Sequence, residues 1–169
     1  MFAPLPDERL PADAPAFARK LNVYRTMAHN PALLAAWAPL RAHVVLGGAL
    51  TEAQKEIVIL RTGHHWGSAY ERAHHVVRGR LAGLTEAQIT RTAQDPADWG
   101  SPDEDTALMA ATDALLTHGR LSETKLEALD PAWHLDIMAT IGFYTTLAFI
   151  VNSFETPIDP DIASDGVPT

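Results

Sequence analysis

The sequence predicts an all-α protein, folded as a compact bundle of about seven to eight helices. Apolar residues recur at helical spacing between capping residues along most of the chain, and no segment alternates apolar and polar residues between hairpin turns. The 169 residues, 47% of them hydrophobic and 20% charged, suit one domain with a buried core. We therefore expect an extended N-terminal arm at residues 1–14, a single helical domain at 15–154 and a C-terminal tail at 155–169.

The first two helices follow the arm. From Pro15 onward apolar residues keep helical spacing as far as Met27, and the residues before Pro31 end this helix. Pro31 can open the next helix as its first residue, and Gly47–Gly48 ends it. Because this second helix is apolar around most of its circumference, we expect it to be deeply buried or to form an interface.

A helix, a short turn and a second helix occupy the centre of the chain. Thr51 begins the first of these helices with a capping box, and a break is predicted at Gly63. Ser68 has capping-box spacing to Glu71, so it begins the second helix, which ends at Gly83.

Start and stop signals delimit the remaining helices. One helix starts at Thr85 and is followed by a loop at 94–102. The next helix is capped by Ser101–Glu104 and ends at Gly119. A short helix then runs from Ser122 to Leu129, and Asp130–Pro131 caps the last helix. The last helix contains the uncharged run 137–151, which is shorter than the roughly 20 residues that cross a bilayer. We therefore expect a core or subunit-interface helix and no membrane contact.

Composition excludes several classes of function. The net charge of −8 and the scattering of the 13 basic residues argue against nucleic acid as a partner. The absence of cysteine removes disulfides, thiol nucleophiles, cysteine–zinc sites and thiol peroxidase chemistry. The N-terminus has no basic segment followed by a continuous apolar one, so no secretory signal is predicted and the expected location is the cytoplasm.

A pair of titratable residues on the second central helix could transfer protons. Glu71 and His75 lie one turn apart and share a face with Ser68, whereas His74 projects about a quarter of a turn away. A carboxylate at this spacing can orient an imidazole that acts as a general acid or base. The ordinary alternative is that Ser68 and Glu71 only cap the helix and that Glu71 and His75 form a surface contact.

Two residues of the first central helix complete the candidate set. Glu56 precedes an apolar run, so its carboxylate is either solvated or partly buried with a raised pKa. Arg61 could hold a substrate carboxylate with both guanidinium branches, or it could be the counter-ion of Glu56. The pattern leaves these alternatives open.

Metal binding is disfavoured by the histidine spacing. Glu71-x-x-His74 matches the spacing of di-iron helical bundles, but those sites need the motif twice and the sequence contains it once. The cluster also lacks His-x-His and His-x3-His pairs. We expect no metal and no other cofactor, because phosphate-binding and dinucleotide-binding loops are missing as well.

The same central stretch resembles the carboxymuconolactone decarboxylase and alkylhydroperoxidase-D-like family. The resemblance lies in Tyr70-Glu71 and Ala73-His74-His75 near Gly83-Leu84-Thr85, with further matches at Asn22–Arg25, His29–Pro31 and the run ending at Arg61. In redox members of the family a glutamate is followed twelve residues later by Cys-x-x-Cys, and a histidine comes four residues after that. Counting from Glu56 leads to Ser68, Glu71 and His75, so this chain resembles the branch without the cysteine pair.

The resemblance implies an alkylhydroperoxidase-D-like fold and a cofactor-free lyase or decarboxylase that acts on a small carboxylated or carbonyl-containing substrate. It implies His75, Glu56 and Glu71 as catalytic residues, and Arg61, Ser68, Tyr70 and His74 as substrate-binding residues. Assembly into dimers, trimers or hexamers is also implied. Two alternatives remain, a ligand-binding scaffold without activity and a thiol-free peroxidase that would need a metal or haem.

Overall fold

The computed structural model describes residues 2–122 and 130–163. Its helices are α1 (Ala16–Lys20), α2 (Asn22–Met27), α3 (Pro31–Leu46), α4 (Glu52–His65), α5 (Ala69–Leu81), α6 (Glu86–Arg91), α7 (Glu104–His118), α8 (Pro131–Ser153) and α9 (Pro160–Ala163). Short 3-10 turns lie at Asp7–Arg9 and Pro96–Asp98. The described residues contain no β-strand, and the predicted all-α fold is confirmed. The short helix predicted at Ser122–Leu129 lies largely outside the described residues.

Helix α4 is the centre of the bundle, because it packs against α5, α7 and α8. Two apolar clusters lie on either side of it. One joins the N-terminal helices to α8 through residues such as Tyr24, Leu34 and Phe143. The other joins α4, α6, α7 and α8 through residues such as Ile57 and Leu108. The polar residues of α4 and α5 are therefore enclosed by apolar packing on both sides.

Most predicted helix ends are confirmed by hydrogen bonds. Thr51 and Thr85 form complete capping boxes, and Asn30 and Asp130 cap the helices that open with proline. The predicted cap at Ser101 is wrong by two residues. Asp103 caps α7 instead, because its carboxylate accepts a hydrogen bond from the Thr106 amide.

The other differences from prediction lie at two helix breaks. The helix predicted from Pro15 is interrupted at Leu21, whose backbone is extended, and the Asn22 amide then donates to Asp159 Oδ1 at 3.0 Å. The predicted break at Gly63 is also wrong, since α4 continues to His65 and the chain reverses at Gly67 with a φ of 59°.

Asp159 fastens the C-terminal segment to the bundle. Its carboxylate is buried and accepts hydrogen bonds from the Asn22 amide, the Tyr70 hydroxyl and His74 Nε2. The His74 Nδ1 atom faces the Tyr70 carbonyl oxygen at 2.9 Å. Both ring nitrogens of His74 therefore lie within hydrogen-bonding distance of oxygen atoms, and Nε2 pairs with Asp159. Burial disfavours the charge on Asp159, but these hydrogen bonds outweigh burial and lower its pKa.

Helix α3 is less buried than predicted. Only Leu34 and Val44 of its residues are buried, so the expectation of a deeply buried helix is wrong, while the alternative of an interface stays a prediction. On α8, Leu135, Met138 and Phe149 are exposed along one side. Helix α8 is long and apolar enough to cross a bilayer by length and composition alone, but half of its most apolar stretch is buried among the other helices.

We expect the protein to form a homo-oligomer through these apolar surfaces, because an isolated subunit would leave them in water. Light scattering at micromolar concentration should give a mass well above the 18.4 kDa of one chain. The double substitution Leu33→Glu with Leu40→Glu adds charge to two exposed positions of α3 and should lower that mass. A wild-type mass of one chain would contradict the prediction.

Candidate active site

The candidate site lies where α4 crosses α5. Gly63 of α4 permits the close approach, because a Cβ at this position would lie 3.3 Å from the Glu71 Cβ. Glu52, Lys55, Glu56 and Ile59 lie on one face of α4, since their spacings are three, four and seven residues. Glu71, His75 and Arg78 lie on the facing side of α5 for the same reason.

His75 lies between two carboxylates in the interior. Its Nδ1 atom is 2.7 Å from Glu56 Oε2, and its Nε2 atom is 3.4 Å from Glu71 Oε2. All three side chains are at least nine-tenths buried. The imidazole can therefore exchange a proton with Glu56 on one side while Glu71 stabilises the charge from the other.

The carboxylates favour the charged form of His75. Burial alone would lower the pKa of the imidazole, but the charge and hydrogen bond of Glu56, together with the hydrogen bond of Glu71, outweigh burial and raise it. Both ring nitrogens face carboxylates, so neither is free to bind a metal ion, and no group of three metal-binding side chains occurs among the described residues.

This raised pKa predicts a pH-dependent contribution to stability. A histidine whose folded-state pKa exceeds its unfolded value of about 6.5 stabilises the fold fully below that value and loses the contribution as the pH rises through the folded-state pKa. We therefore expect the loss of unfolding free energy caused by His75→Gln to shrink as the pH is raised from about 6 to 9.

Urea titrations of both proteins across this range measure the difference. His65→Gln is the control, because His65 is exposed at the end of α4. A difference between wild type and His75→Gln that stayed constant, or grew with pH, would contradict the prediction.

Tyr144 packs against the imidazole, and Tyr24 of α2 is a second buried tyrosine of the bundle. The Tyr144 ring meets the His75 ring edge to face, with 4.9 Å between the ring centroids. Burial raises the pKa of Tyr144, and burial raises the pKa of Tyr24 to about 12, although Arg41 opposes that rise. Both phenols therefore keep their protons at neutral pH and can act as hydrogen-bond donors.

A cavity of about 300 Å³ reaches the site from the surface. Its lining residues come from α3, α4, α5 and α8 and the turn after α5: Val44, Val45, Leu46, Glu52, Lys55, Glu56, Ile59, Arg78, Leu81, Ala82 and Tyr144. Leu46 and Leu81 are 73% and 83% exposed, so they mark the mouth. Glu56 lines the cavity and also contacts His75, so it connects the cavity to the buried imidazole.

Three of the predicted substrate-binding residues lie away from this cavity. The Ser68 hydroxyl accepts a hydrogen bond from the Glu71 amide and caps α5. The expected return bond from Glu71 does not form, because its carboxylate turns to His75. Tyr70 and His74 are buried in the Asp159 network on another side of α5. These three residues position α5 and the C-terminal segment.

Arg61 also points elsewhere. Its Nε and Nη2 atoms donate to the two carboxylate oxygens of Asp113 at 2.7 and 2.8 Å, and Nη1 donates to the Thr92 and Gln94 carbonyls. Trp99 covers the guanidinium at 4.9 Å. Arg61 is therefore the counter-ion of Asp113 rather than of Glu56, and its donors are engaged within the protein.

Sequence reasoning missed Lys55, Arg78 and Tyr144 as lining residues. Arg78 follows His75 by three residues on the same helix, so helical spacing could have placed it on the site face. Tyr144 comes from the distant helix α8, and no local pattern links it to His75.

The chain is similar to one known protein family and to solved structures. A family model described as the carboxymuconolactone decarboxylase family matches residues 31–114, a span that includes Glu56, Glu71 and His75. The search of curated proteins found no match.

Two solved structures share the fold. One is an alkylhydroperoxidase AhpD core from Ralstonia eutropha, described as an uncharacterized peroxidase-related protein, with a TM-score of 0.79 and 18% identity over 100% of this chain and 99% of that one. The other is an uncharacterized peroxidase-related protein from a Silicibacter species, with a TM-score of 0.73 and 14% identity over 95% of this chain and 94% of that one. At these identities the structures support the fold alone.

Proposed function

Because the chain belongs to the carboxymuconolactone decarboxylase family and contains no cysteine, we propose that it is a cofactor-free lyase acting on a small carboxylated or carbonyl-containing molecule. The observation that carries this proposal is the Glu56–His75–Glu71 arrangement at the end of a cavity. Buried carboxylates that flank an imidazole are suited to moving a proton to or from a bound substrate.

Glu56 is the group that meets the substrate, because it lines the cavity while His75 lies behind it. A proton delivered to the substrate carbon passes through the Glu56 carboxylate. The charged His75 replaces that proton on Glu56 from its Nδ1 atom, and Glu71 stabilises the imidazolium beforehand from the Nε2 side. Loss of carbon dioxide from a carboxylate β to a carbonyl breaks the carbon–carbon bond and leaves an enolate, and a proton delivered to its carbon completes the reaction.

Tyr144 supplies a donor for the negative charge that develops on a substrate carbonyl oxygen. It lines the cavity, and its raised pKa keeps the phenol protonated. A fixed donor in a site shielded from water stabilises an enolate more than water would.

Turnover in deuterium oxide tests the proposal. The protein is incubated with a panel of small oxo-acids and carboxylated γ-lactones, and NMR follows substrate loss and deuterium incorporation at carbon. We expect at least one compound to react, and Glu56→Gln to lower its rate by roughly 10²-fold, the usual effect of losing a positioned acid or base.

Glu86→Gln is the matched control, because Glu86 lies on α6 and pairs with Arg80 outside the cavity. It should leave the rate unchanged. Compounds that bind without reacting would instead support the alternative of a ligand-binding scaffold. A Glu56→Gln protein as active as the wild type would contradict the assigned role of Glu56.

A further inference from the structure

Arg78 occupies a distinctive position in the cavity. It lies three residues after His75 and seven after Glu71 on α5, so the same helical face presents all three side chains. It lines the cavity together with Glu56 and is partly exposed to solvent. A molecule that reached Glu56 from the cavity would therefore pass close to the guanidinium.

The other charged groups of the cavity wall are already paired. Lys55 Nζ lies 2.8 Å from Glu52 Oε1, and Glu56 Oε2 lies 2.7 Å from His75 Nδ1. Within residues 2–122 and 130–163, no ion pair or side-chain hydrogen bond joins Arg78 to another residue. The cavity thus holds one cation whose donors face no acceptor of the described protein.

The rest of the wall is mostly apolar. Val44, Val45 and Leu46 from α3, Ile59 from α4, and Leu81 and Ala82 at the end of α5 surround the opening. A cavity of about 300 Å³ is at the small end of the range for ligand pockets, so it suits one compact molecule. An apolar wall with one unpaired guanidinium fits a ligand with an apolar body and one anionic group.

We propose that Arg78 is a specificity-determining residue that binds the carboxylate of a compact monocarboxylate substrate, with the apolar body of the substrate packed against the α3 residues. This inference rests on the proposed function, since it defines the substrate class of the same cavity. The guanidinium fork matches the two oxygens of a carboxylate, which a lysine or a neutral amide cannot reproduce.

Binding of benzoate and benzamide tests the inference without any turnover. The two probes have nearly the same shape, but only benzoate is an anion. Titration calorimetry of the wild-type protein should show benzoate binding roughly tenfold more tightly or better, the usual gain from a charge-assisted hydrogen bond. Arg78→Gln should remove this preference, and Arg78→Lys should keep part of it.

Arg80→Gln is the control, because Arg80 lies two residues further on α5 and pairs with Glu86. It should keep the preference for benzoate. Equal binding of the two probes to the wild type, no binding of benzoate, or an unchanged preference in Arg78→Gln would overturn the inference.

The two proposals can fail separately. If the protein prefers benzoate through Arg78 but turns over no compound, the carboxylate site is supported and the proposal of an enzyme is contradicted. If the protein turns over substrate but Arg78→Gln changes neither the preference for benzoate nor the KM, the proposal of an enzyme is supported and the role of Arg78 is contradicted.

Discussion

His75→Gln should lower turnover of the substrate identified by NMR by roughly 10²-fold or more, while the protein stays folded. The glutamine amide can still hydrogen-bond to Glu56 and Glu71, but it cannot carry a proton between them. Glu56 would then have no partner to replace the proton that it delivers to the substrate. Steady-state kinetics with the melting temperature measured in parallel separates this loss from unfolding, because kcat should fall far more than stability does.

His74→Gln is the matched control for that experiment. His74 is an equally buried histidine on the same helix, but it faces Asp159 and the Tyr70 carbonyl instead of the cavity. Its substitution should lower the melting temperature and leave kcat near the wild-type value. Equal losses of kcat in the two variants would contradict the assignment of His75 as the proton carrier.

The sequence was sufficient to predict contacts within one helix. Glu71 and His75 are four residues apart, so an α-helix brings them together wherever it packs. The contact between Glu56 and His75 joins different helices, 19 residues apart. Its prediction depended on the family resemblance, because helical spacing says nothing about which helices cross.

The surroundings of Arg61 and Arg78 depend on how the helices pack, which the sequence around each arginine does not specify. Arg61 was selected for its place in a family-like run, but its partner Asp113 lies 52 residues away on α7. No local pattern specifies that pair, since it depends on how α4 and α7 pack. Helical spacing from His75 places Arg78 on the face of α5 that lines the cavity, but a cation also suits the C-terminal end of a helix, so spacing alone does not single out Arg78.

The largely exposed helix α3 was predicted to be buried or part of an interface. Its composition is that of a buried helix, and composition cannot distinguish burial within one chain from burial between two chains. The same ambiguity applies to α8, which has a buried side in the core and an exposed apolar side. Burial of α3 and of the exposed side of α8 against another subunit would account for the apolar composition of both helices.

Asp159→Asn should lower the unfolding free energy by about 3 kcal/mol, because it removes a buried carboxylate that accepts hydrogen bonds from the Tyr70 hydroxyl and His74 Nε2. For a chain of this size that loss corresponds to a fall in melting temperature on the order of 10 °C. The asparagine can still accept from the Asn22 amide, so the change removes the charge while keeping the shape. Urea titration at neutral pH measures the loss directly.

The low pKa of Asp159 makes this effect depend on pH in the direction opposite to that of His75. A carboxylate whose folded-state pKa lies below its unfolded value of about 3.9 stabilises the fold above that value, and the contribution is lost as the pH falls through the folded-state pKa. Wild type and Asp159→Asn should therefore converge in stability as the solution is made acidic. Asp13→Asn, the same change at an exposed position, should alter stability by no more than about 0.5 kcal/mol.

Measurements of kcat distinguish the two buried histidine–carboxylate sites of α5, because only the His75 site is assigned a role in turnover. Well below its melting temperature, Asp159→Asn should keep the kcat of the wild type, since Asp159 and His74 contact neither Glu56 nor the cavity. Combining Asp159→Asn with His74→Gln should cost less stability than the sum of the two single changes, because each removes the same ion pair. Additive losses would show that the pair contributes no coupling, and a kcat that fell with Asp159→Asn would mean that the C-terminal segment controls the geometry of the active site.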